Sequence, residues 1–176
     1  LSESEQAKLF HNLVAKIIFD HEDKKYYHEL RERVIVYFRK RYANTEMVSE
    51  TFKAFELELY YPCLCGAMTF VEKLLIDVEH PCNTQYSKLL ETKVNTLLKI
   101  TDNQRENLLL RSNLSGYIEF LSESVPFSGK EPEDINRHWL LHGRANRKII
   151  EPDCLNIFML LDILIELNEK IEVDPS

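Results

Sequence analysis

The residues best suited to chemistry lie in one segment, residues 136–148. Its polar and basic members are Asn136, Arg137, His138, His142, Arg144, Asn146, Arg147 and Lys148. Histidine exchanges a proton near neutral pH, because its unperturbed pKa is about 6.5. Arginine stays charged and presents a fork of N–H donors that matches the oxygens of a phosphate. In a chain with a net charge of −7, this concentration of cations and imidazoles indicates a site that handles phosphate.

A solvated helix end is the simpler interpretation of part of this segment. Cations are favoured near the C-terminus of a helix by the helix dipole, so the basic residues around Gly143 need no ligand to explain them. The dipole does not explain two histidines four residues apart. A structural polar cluster therefore stays the alternative to a phosphate site.

A metal site is a second alternative for the same residues. Asp134, His138 and His142 are spaced four apart, so a helix would place them along one face. The residues between the two histidines include no general-base glutamate, and the sequence marks no fourth ligand. We therefore expect no metal at this site and no cofactor in the protein.

Hydrophobic periodicity predicts helices along the whole chain. Apolar residues recur three and four positions apart, and four Gly and six Pro among 176 residues leave little material for the turns of an all-β fold. We expect an all-α helical bundle of about six to eight helices, with the Arg137/His142 segment before the last helix.

The apolar patterns also place the ends of the helices. We predict helices at about residues 2–18, 26–44, 46–61, 63–77, 86–98, 102–121, 132–142 and 153–164. Ser2 is expected to cap the first helix, with Glu5 three residues later as in a capping box. Pro62 ends or kinks the third helix, Gly143 stops the seventh, and Asp153 caps the last.

Composition and charge limit the class of protein. A chain of 176 residues fits one domain, residues 1–176, and a pI near 5.4 argues against a protein that coats duplex nucleic acid. No apolar run approaches the roughly 20 residues of a membrane span, and no signal peptide opens the sequence. We expect a cytoplasmic protein with no membrane partner. The first residue, Leu1, is compatible with a fragment of a longer protein.

The four cysteines do not predict a zinc site. Their spacing lacks the paired pattern of a zinc ribbon, since the first two are separated by a single residue. Buried free thiols are the expected state in a reducing compartment. The cysteines are Cys63, Cys65, Cys82 and Cys154.

The string Asn136-Arg137-His138-Trp139-Leu140-Leu141-His142-Gly143 resembles the signature of the HEPN superfamily. In that signature an Arg is followed four to six residues later by a His, and Asn, His or Asp stands directly after the Arg. The string, with the leucine-rich helix that follows it, is similar to a bacterial subgroup of the superfamily. The motif covers roughly the last quarter of this chain, and the rest resembles the family in its helical character.

The resemblance implies metal-independent cleavage of single-stranded RNA. The ribose 2′-hydroxyl would attack the neighbouring phosphorus and leave a cyclic phosphate and a 5′-hydroxyl. His142 would act as general base or acid, and Arg137 would stabilise charge on the phosphorane. The residues expected to bind the substrate are Asn136, His138, Arg144, Arg147 and Lys148. Trp139 could stack a base, although packing in the core is the favoured role.

The resemblance also implies a homodimer. On an ideal helix Arg137 and His142 point about 140° apart, so either the helix distorts before Gly143 or two chains share one site. A two-fold dimer would bring two copies of each side chain to one cleft and double the local positive charge. HEPN proteins commonly act as toxins or effectors in defence and stress, so an antitoxin or regulatory domain is an expected partner. A noncatalytic helical module for RNA binding, partner binding or dimerisation is the alternative function.

Overall fold

The computed structural model describes residues 3–42, 45–76, 128–132 and 135–173. Six helices and no strand occur in these ranges. The helices are α1 (Glu3–Asp20), α2 (Lys25–Arg41), α3 (Glu46–Glu56), α4 (Tyr60–Ile76), α5 (Arg137–Leu141) and α6 (Glu151–Val173). The prediction of an all-α fold with the Arg/His segment directly before the last helix is confirmed. Ser2 and the predicted helices at 86–98 and 102–121 lie outside the described residues.

The chain divides into two compact units. One comprises residues 1–70 and 148–163, and the other comprises residues 71–147 and 164–176. Helices α1 to α3 belong to the first unit and α5 belongs to the second, whereas α4 and α6 contribute residues to each. A single domain over the whole chain stays a prediction. Among the described helices, none is long and apolar enough to cross a membrane.

A cluster of aromatic side chains from α2, α3 and α6 fills the core of the first unit. Phe52 and Phe158 are fully buried and stack with their ring centroids 4.8 Å apart. Tyr27 lies 6.0 Å from Phe52, and Phe55 packs edge-on against Phe158 at 5.2 Å. Burying one such ring stabilises the fold by roughly 1.5–3 kcal/mol, so these contacts hold the three helices together.

The apolar residues of α2 that recur three and four positions apart lie on its buried face. Its buried residues include Tyr27, Leu30, Val34, Tyr37 and Phe38. At the edge of this face, Asp162 of α6 accepts hydrogen bonds from the Tyr26 hydroxyl at 2.8 Å and from Arg33 Nη1 at 2.7 Å. The carboxylate thereby fixes the position of α2 along α6.

A glycine allows α3 and α4 to approach closely. A Cβ atom added to Gly66 would lie 2.2 Å from Oγ1 of Thr51. That hydroxyl donates a hydrogen bond to the Met47 carbonyl at 2.8 Å, which holds it in place. A larger residue at position 66 would therefore have to push the two helices apart.

The predicted continuous helix from 46 to 61 is wrong, because the chain breaks between α3 and α4. Glu58 adopts a left-handed conformation with φ of 59°. Its N–H bonds to the Phe55 carbonyl at 2.9 Å, and the Leu59 N–H bonds to the Ala54 carbonyl at 2.8 Å. This pair of bonds closes a helix C-terminus. Pro62, predicted to end or kink this helix, instead lies in the first turn of α4, where its missing N–H costs nothing.

The apolar stripe of α1 is largely exposed. Leu9, Leu13 and Ile17 are 61%, 56% and 60% exposed, whereas Ala15 and Phe19 are buried. The apolar residues of α1 thus keep the helical spacing found in the sequence. However, Ala15 and Phe19, which attach α1 to the core of its unit, lie on another side of the helix than most of this stripe.

The last helix begins before the predicted cap. Helix α6 starts at Glu151, and the Asp153 carboxylate accepts the backbone N–H of Ile150 at 2.9 Å. Asp153 thus occupies the third position of the helix and bonds back to the residue before it, as the acidic partner of a capping box does. The assignment of Asp153 as the N-cap itself is wrong.

Three cysteines are described, and each is a free thiol. Cys63 and Cys154 are fully buried, and the Cys154 sulfur donates to the Tyr60 carbonyl at 3.4 Å. A hydrogen bond with Cys63 and then burial raise the pKa of Cys154 above its usual value. The prediction of free thiols is confirmed for these cysteines, and Cys82 lies outside the described residues.

Candidate functional site

Asn136 fixes the beginning of the short helix α5. Its backbone is extended, with φ of −110° and ψ of 120°, and its Oδ1 accepts the Trp139 N–H at 3.1 Å. The side chain is buried, so this cap is shielded from water. The predicted start near Pro132 is wrong, because the capping bond places the first helical residue at Arg137.

Gly143 ends the same helix, as predicted. It has a left-handed backbone with φ of 66°, and its N–H bonds to the Leu140 carbonyl at 3.1 Å. The Arg144 N–H bonds to the Trp139 carbonyl at 2.8 Å, which completes the two-bond pattern of a glycine C-terminus. Helix α5 is thus capped at both ends.

Arg137 pairs with an acidic residue of α4. Its Nε donates to the Glu72 carboxylate, and the two side chains are only 23% and 20% exposed. Burial lowers the pKa of Arg137, but an arginine remains protonated at neutral pH. The guanidinium is therefore a fixed and partly neutralised cation.

Glu72 was not among the residues selected from the sequence. It lies within a strongly apolar helix, next to the buried Val71 and close to the buried Leu74. An acidic residue in such a helix was the signal that could have marked it, since a carboxylate there needs a partner. The sequence does not reveal that its partner is 65 residues away.

His138 and His142 lie against each other on one side of α5. Their ring centroids are 4.5 Å apart and the rings meet edge to face at 72°. The His142 N–H bonds to the His138 carbonyl at 3.2 Å, which places the histidines one helical turn apart. Partial burial, and then the charges of His142 and Arg137, hold the pKa of His138 below its usual value. A neutral imidazole at position 138 is therefore favoured near neutral pH.

Helical hydrogen bonding runs from Arg137 to His142, and the last turn tightens where Gly143 bonds to the Leu140 carbonyl. Because helical hydrogen bonding continues to His142, the five-residue step from Arg137 still turns the two side chains about 140° apart. Arg137 is directed to Glu72 in α4, and His142 is exposed. Local distortion is thus not the way in which these two side chains could reach one phosphate.

Glu131 holds the loop that follows α5. Its carboxylate accepts the Asn146 N–H at 2.9 and 3.1 Å and the Arg147 N–H at 3.2 Å. Two successive N–H groups bound to one carboxylate fix the backbone of this basic loop. The sequence analysis did not select Glu131, because a contact across 15 residues of irregular chain leaves no periodic signal.

The remaining residues that the sequence predicted for the site differ in how far they are exposed to solvent. Arg144 and Lys148 are exposed and Arg147 is partly exposed. Trp139 is 6% exposed, as its packing role requires. The structure therefore places Arg137 and His138 on α5, Asn136 and His142 at its two ends, and the other cations after it; His138 and His142 are in contact.

The rival metal site of Asp134, His138 and His142 is not tested by the described residues. Asp134 lies outside them, and no group of three or more His, Cys, Asp or Glu side chains within them could hold a metal ion. The two histidines remain a pair. Their chemistry near neutral pH is the exchange of protons and the donation of nitrogen lone pairs.

No family model, curated protein or solved structure matches this chain. The resemblance to the HEPN superfamily therefore rests on the residues of α5 and its two flanks. Function has to be argued from the charge, burial and contacts of those residues.

Proposed function

We propose that this protein is a metal-independent endoribonuclease of the HEPN type that cleaves single-stranded RNA. The observation that carries the proposal is a guanidinium and two imidazoles on one short helix that is capped at both ends. Arg137 supplies the cation, and His138 with His142 supplies imidazoles, the side chains suited to exchanging a proton. These are the groups that an attack of the 2′-hydroxyl on phosphorus requires.

The reaction needs one proton removed and one delivered. The 2′-oxygen attacks phosphorus as His142 accepts its proton; the bond from phosphorus to the 5′-oxygen then breaks, and the protonated His142 passes its proton to that oxygen. The products are a 2′,3′-cyclic phosphate and a 5′-hydroxyl. Arg137 stabilises the negative charge that develops on the phosphorane oxygens.

Glu72 acts in this proposal as a positioning residue for Arg137. It accepts a hydrogen bond from Nε, one of the five N–H groups that a guanidinium carries. The bond orients the plane of the guanidinium before substrate arrives. Preorganisation of this kind lowers the cost of ordering a flexible cation at the moment of reaction.

A second copy of the chain would complete the site. Arg137 and His142 of one chain point apart along α5, which favours a homodimer with a composite active site. Two copies of the basic loop would also double the local positive charge near an RNA substrate, although each chain carries a net charge of −7. Single-stranded RNA is the proposed substrate, with His138, Arg144, Arg147 and Lys148 around it, while the buried Asn136 positions the start of α5.

A defence, toxin or stress effector is the proposed biological role. An unregulated ribonuclease would harm its own cell, so an antitoxin or regulatory domain is the partner that this activity requires. The proposed location is the cytoplasm, where cellular RNA is accessible.

The experiment is cleavage of labelled single-stranded RNA in the presence of EDTA. We expect the wild type to release fragments with a cyclic phosphate end, and Arg137→Ala or His142→Ala to abolish them. Arg39→Ala and His21→Ala remove an exposed arginine and an exposed histidine of the first unit and serve as matched controls. Wild-type protein that leaves RNAs of several sequences intact across a range of pH, including with candidate regulators, would overturn the proposal.

One observation favours a noncatalytic alternative. The pairing of Arg137 with Glu72 is also what a purely structural arginine would show. A helical module for binding RNA or a protein partner, or for dimerisation, would then retain its biological effect in an H142A variant, which keeps the pair of Arg137 with Glu72. Loss of the effect in that variant favours catalysis.

A further inference from the structure

The loop after α5 holds an anion on its backbone. The Glu131 carboxylate accepts the Asn146 N–H at 2.9 and 3.1 Å and the Arg147 N–H at 3.2 Å. Successive backbone N–H groups that converge on one anion form a concavity of the kind that binds phosphate. In this loop the anion is a carboxylate of the same chain. The N–H groups of Asn146 and Arg147, called here the N–H pair, therefore supply the donors of an anion site that Glu131 occupies.

Other hydrogen bonds hold the backbone that carries the N–H pair. The Arg144 and Ala145 N–H groups bond to the Trp139 carbonyl at 2.8 and 3.2 Å. The Asn146 side chain donates to the Arg144 carbonyl at 3.2 Å. None of these bonds involves Glu131, so they remain when its carboxylate leaves. The next helix, α6, begins only at Glu151, so the N–H pair belongs to the loop and is not a helix N-terminus.

The charge next to the N–H pair suits a phosphate. Residues 136–148 contain no acidic side chain, so the only carboxylate bound to the N–H pair among the described residues comes from outside this segment. Arg144 is exposed and Arg147 is partly exposed, and an arginine remains charged at neutral pH. Backbone N–H groups and arginines are both donors that proteins present to the phosphates of nucleic acids.

We propose that the N–H pair is a subsite for one backbone phosphate of single-stranded RNA, and that Glu131 occupies the subsite until RNA displaces its carboxylate. The bonds from Asn146 to Glu131 are exposed to solvent, and a bond in exchange with water contributes little net free energy. Glu131 thus competes with RNA and lowers its affinity. That the phosphate belongs to RNA rests on the proposed function, whereas the binding of a phosphate group at the N–H pair does not.

The test is binding of a 2′-O-methyl RNA oligonucleotide to the full chain, measured by fluorescence anisotropy. This RNA lacks the hydroxyl that attacks phosphorus, so binding is measured without cleavage. Glu131→Gln removes the charge of the competitor and keeps the size of its side chain, and we expect it to bind the RNA about tenfold more tightly than wild type. Glu151→Gln removes one negative charge from the start of α6 and should change the affinity less. If Glu131 only holds the loop, E131Q will bind the RNA no better than wild type, which would overturn the proposal.

Backbone amide NMR observes the N–H pair directly, and circular dichroism checks that each variant is folded. On addition of the same RNA, the amide signals of Asn146 and Arg147 should shift to saturation in wild type, and at lower RNA concentration in E131Q. Inorganic phosphate is titrated separately. Shifts that saturate with phosphate and not with RNA would overturn the assignment to an RNA phosphate, and amides that respond to neither would overturn the subsite.

The outcomes for the subsite and for the ribonuclease can be separated. An active wild-type ribonuclease whose Asn146 and Arg147 amides ignore RNA would refute the subsite and leave the proposed function intact. Wild-type protein that cleaves no RNA, but whose amides saturate with RNA and whose E131Q variant binds more tightly, would refute the ribonuclease and leave the subsite intact.

Discussion

The Nε of Arg137 donates to the carboxylate of Glu72, and both side chains are largely withdrawn from solvent. This contact joins the helix that carries both histidines to α4, within one compact unit of the chain. It gives the arginine a fixed direction and a compensated charge. Both consequences can be measured.

Replacing Glu72 with Gln should destabilise the protein. The substitution keeps the shape of the side chain but leaves a partly buried guanidinium without its ionic partner, which costs about 1–2 kcal/mol. Glu50→Gln removes an exposed carboxylate of α3 and is the matched control. Urea unfolding measures the stability of both variants. Equal midpoints for E72Q and E50Q would contradict the stabilising role assigned to the pair of Arg137 and Glu72.

Replacing Gly66 with Ala should force α3 and α4 apart. The new Cβ would meet Thr51 Oγ1 at 2.2 Å, and overpacking of this kind costs about 1–3 kcal/mol. Thr51→Ala removes the obstructing hydroxyl, so the double variant G66A/T51A should recover part of the loss. A thermal melt of the double-mutant cycle measures the coupling; additive effects would mean that the helices do not touch at this point.

Removing the side chain of Asn136 should loosen the start of α5. Its Oδ1 accepts the Trp139 N–H, and loss of such a cap costs about 0.5–2 kcal/mol. Asn136→Ser retains a neutral acceptor at this position and should keep part of the stability that Asn136→Ala loses. If the two variants unfold at the same denaturant concentration, Asn136 is not acting as a cap.

The low pKa of His138 makes a prediction about acid stability. The folded protein binds a proton at this imidazole less readily than the unfolded chain does, because of burial and the charges of His142 and Arg137. His138 therefore makes its full contribution to the free energy of unfolding above the pKa that it has in the unfolded chain, about 6.5. That contribution is lost as the pH falls through the lower pKa that His138 has in the folded protein.

Free energies of unfolding measured between pH 7.5 and 5 test whether His138 lowers the stability of the protein as the pH falls. The decline with falling pH should be shallower in H138Q than in wild type, and H21Q controls for the loss of an exposed histidine. In NMR titrations the His138 ring should protonate below the ordinary range of histidine. An ordinary or raised midpoint would contradict the environment described for this ring.

Local signals in the sequence predicted much of the fold. The three- and four-residue spacing of α2 predicted the face that is buried, and Gly143 predicted the end of α5, because both depend on residues close in sequence. The break at Glu58 was missed, since a left-handed conformation at a residue other than glycine has no clear sequence signal.

The candidate site was predicted in part. The histidines and Arg137 were selected by residue type and spacing, whereas Glu72 and Glu131 act through contacts distant in sequence. Asn136 was expected to bind substrate, and its side chain was found at the start of the helix. The chemistry of one side chain can be inferred from the sequence, but the residues that orient this side chain depend on tertiary packing.

The most direct measurement mixes two inactive variants. If Arg137 and His142 act together in a site shared by two chains, R137A and H142A should each fail to cleave RNA in EDTA, and their mixture should recover part of the wild-type activity. Recovery follows because a mixed dimer retains one guanidinium and one imidazole in its cleft. A mixture as inactive as its components, beside an active wild type, would contradict the shared site, and an inactive wild type would contradict the ribonuclease itself.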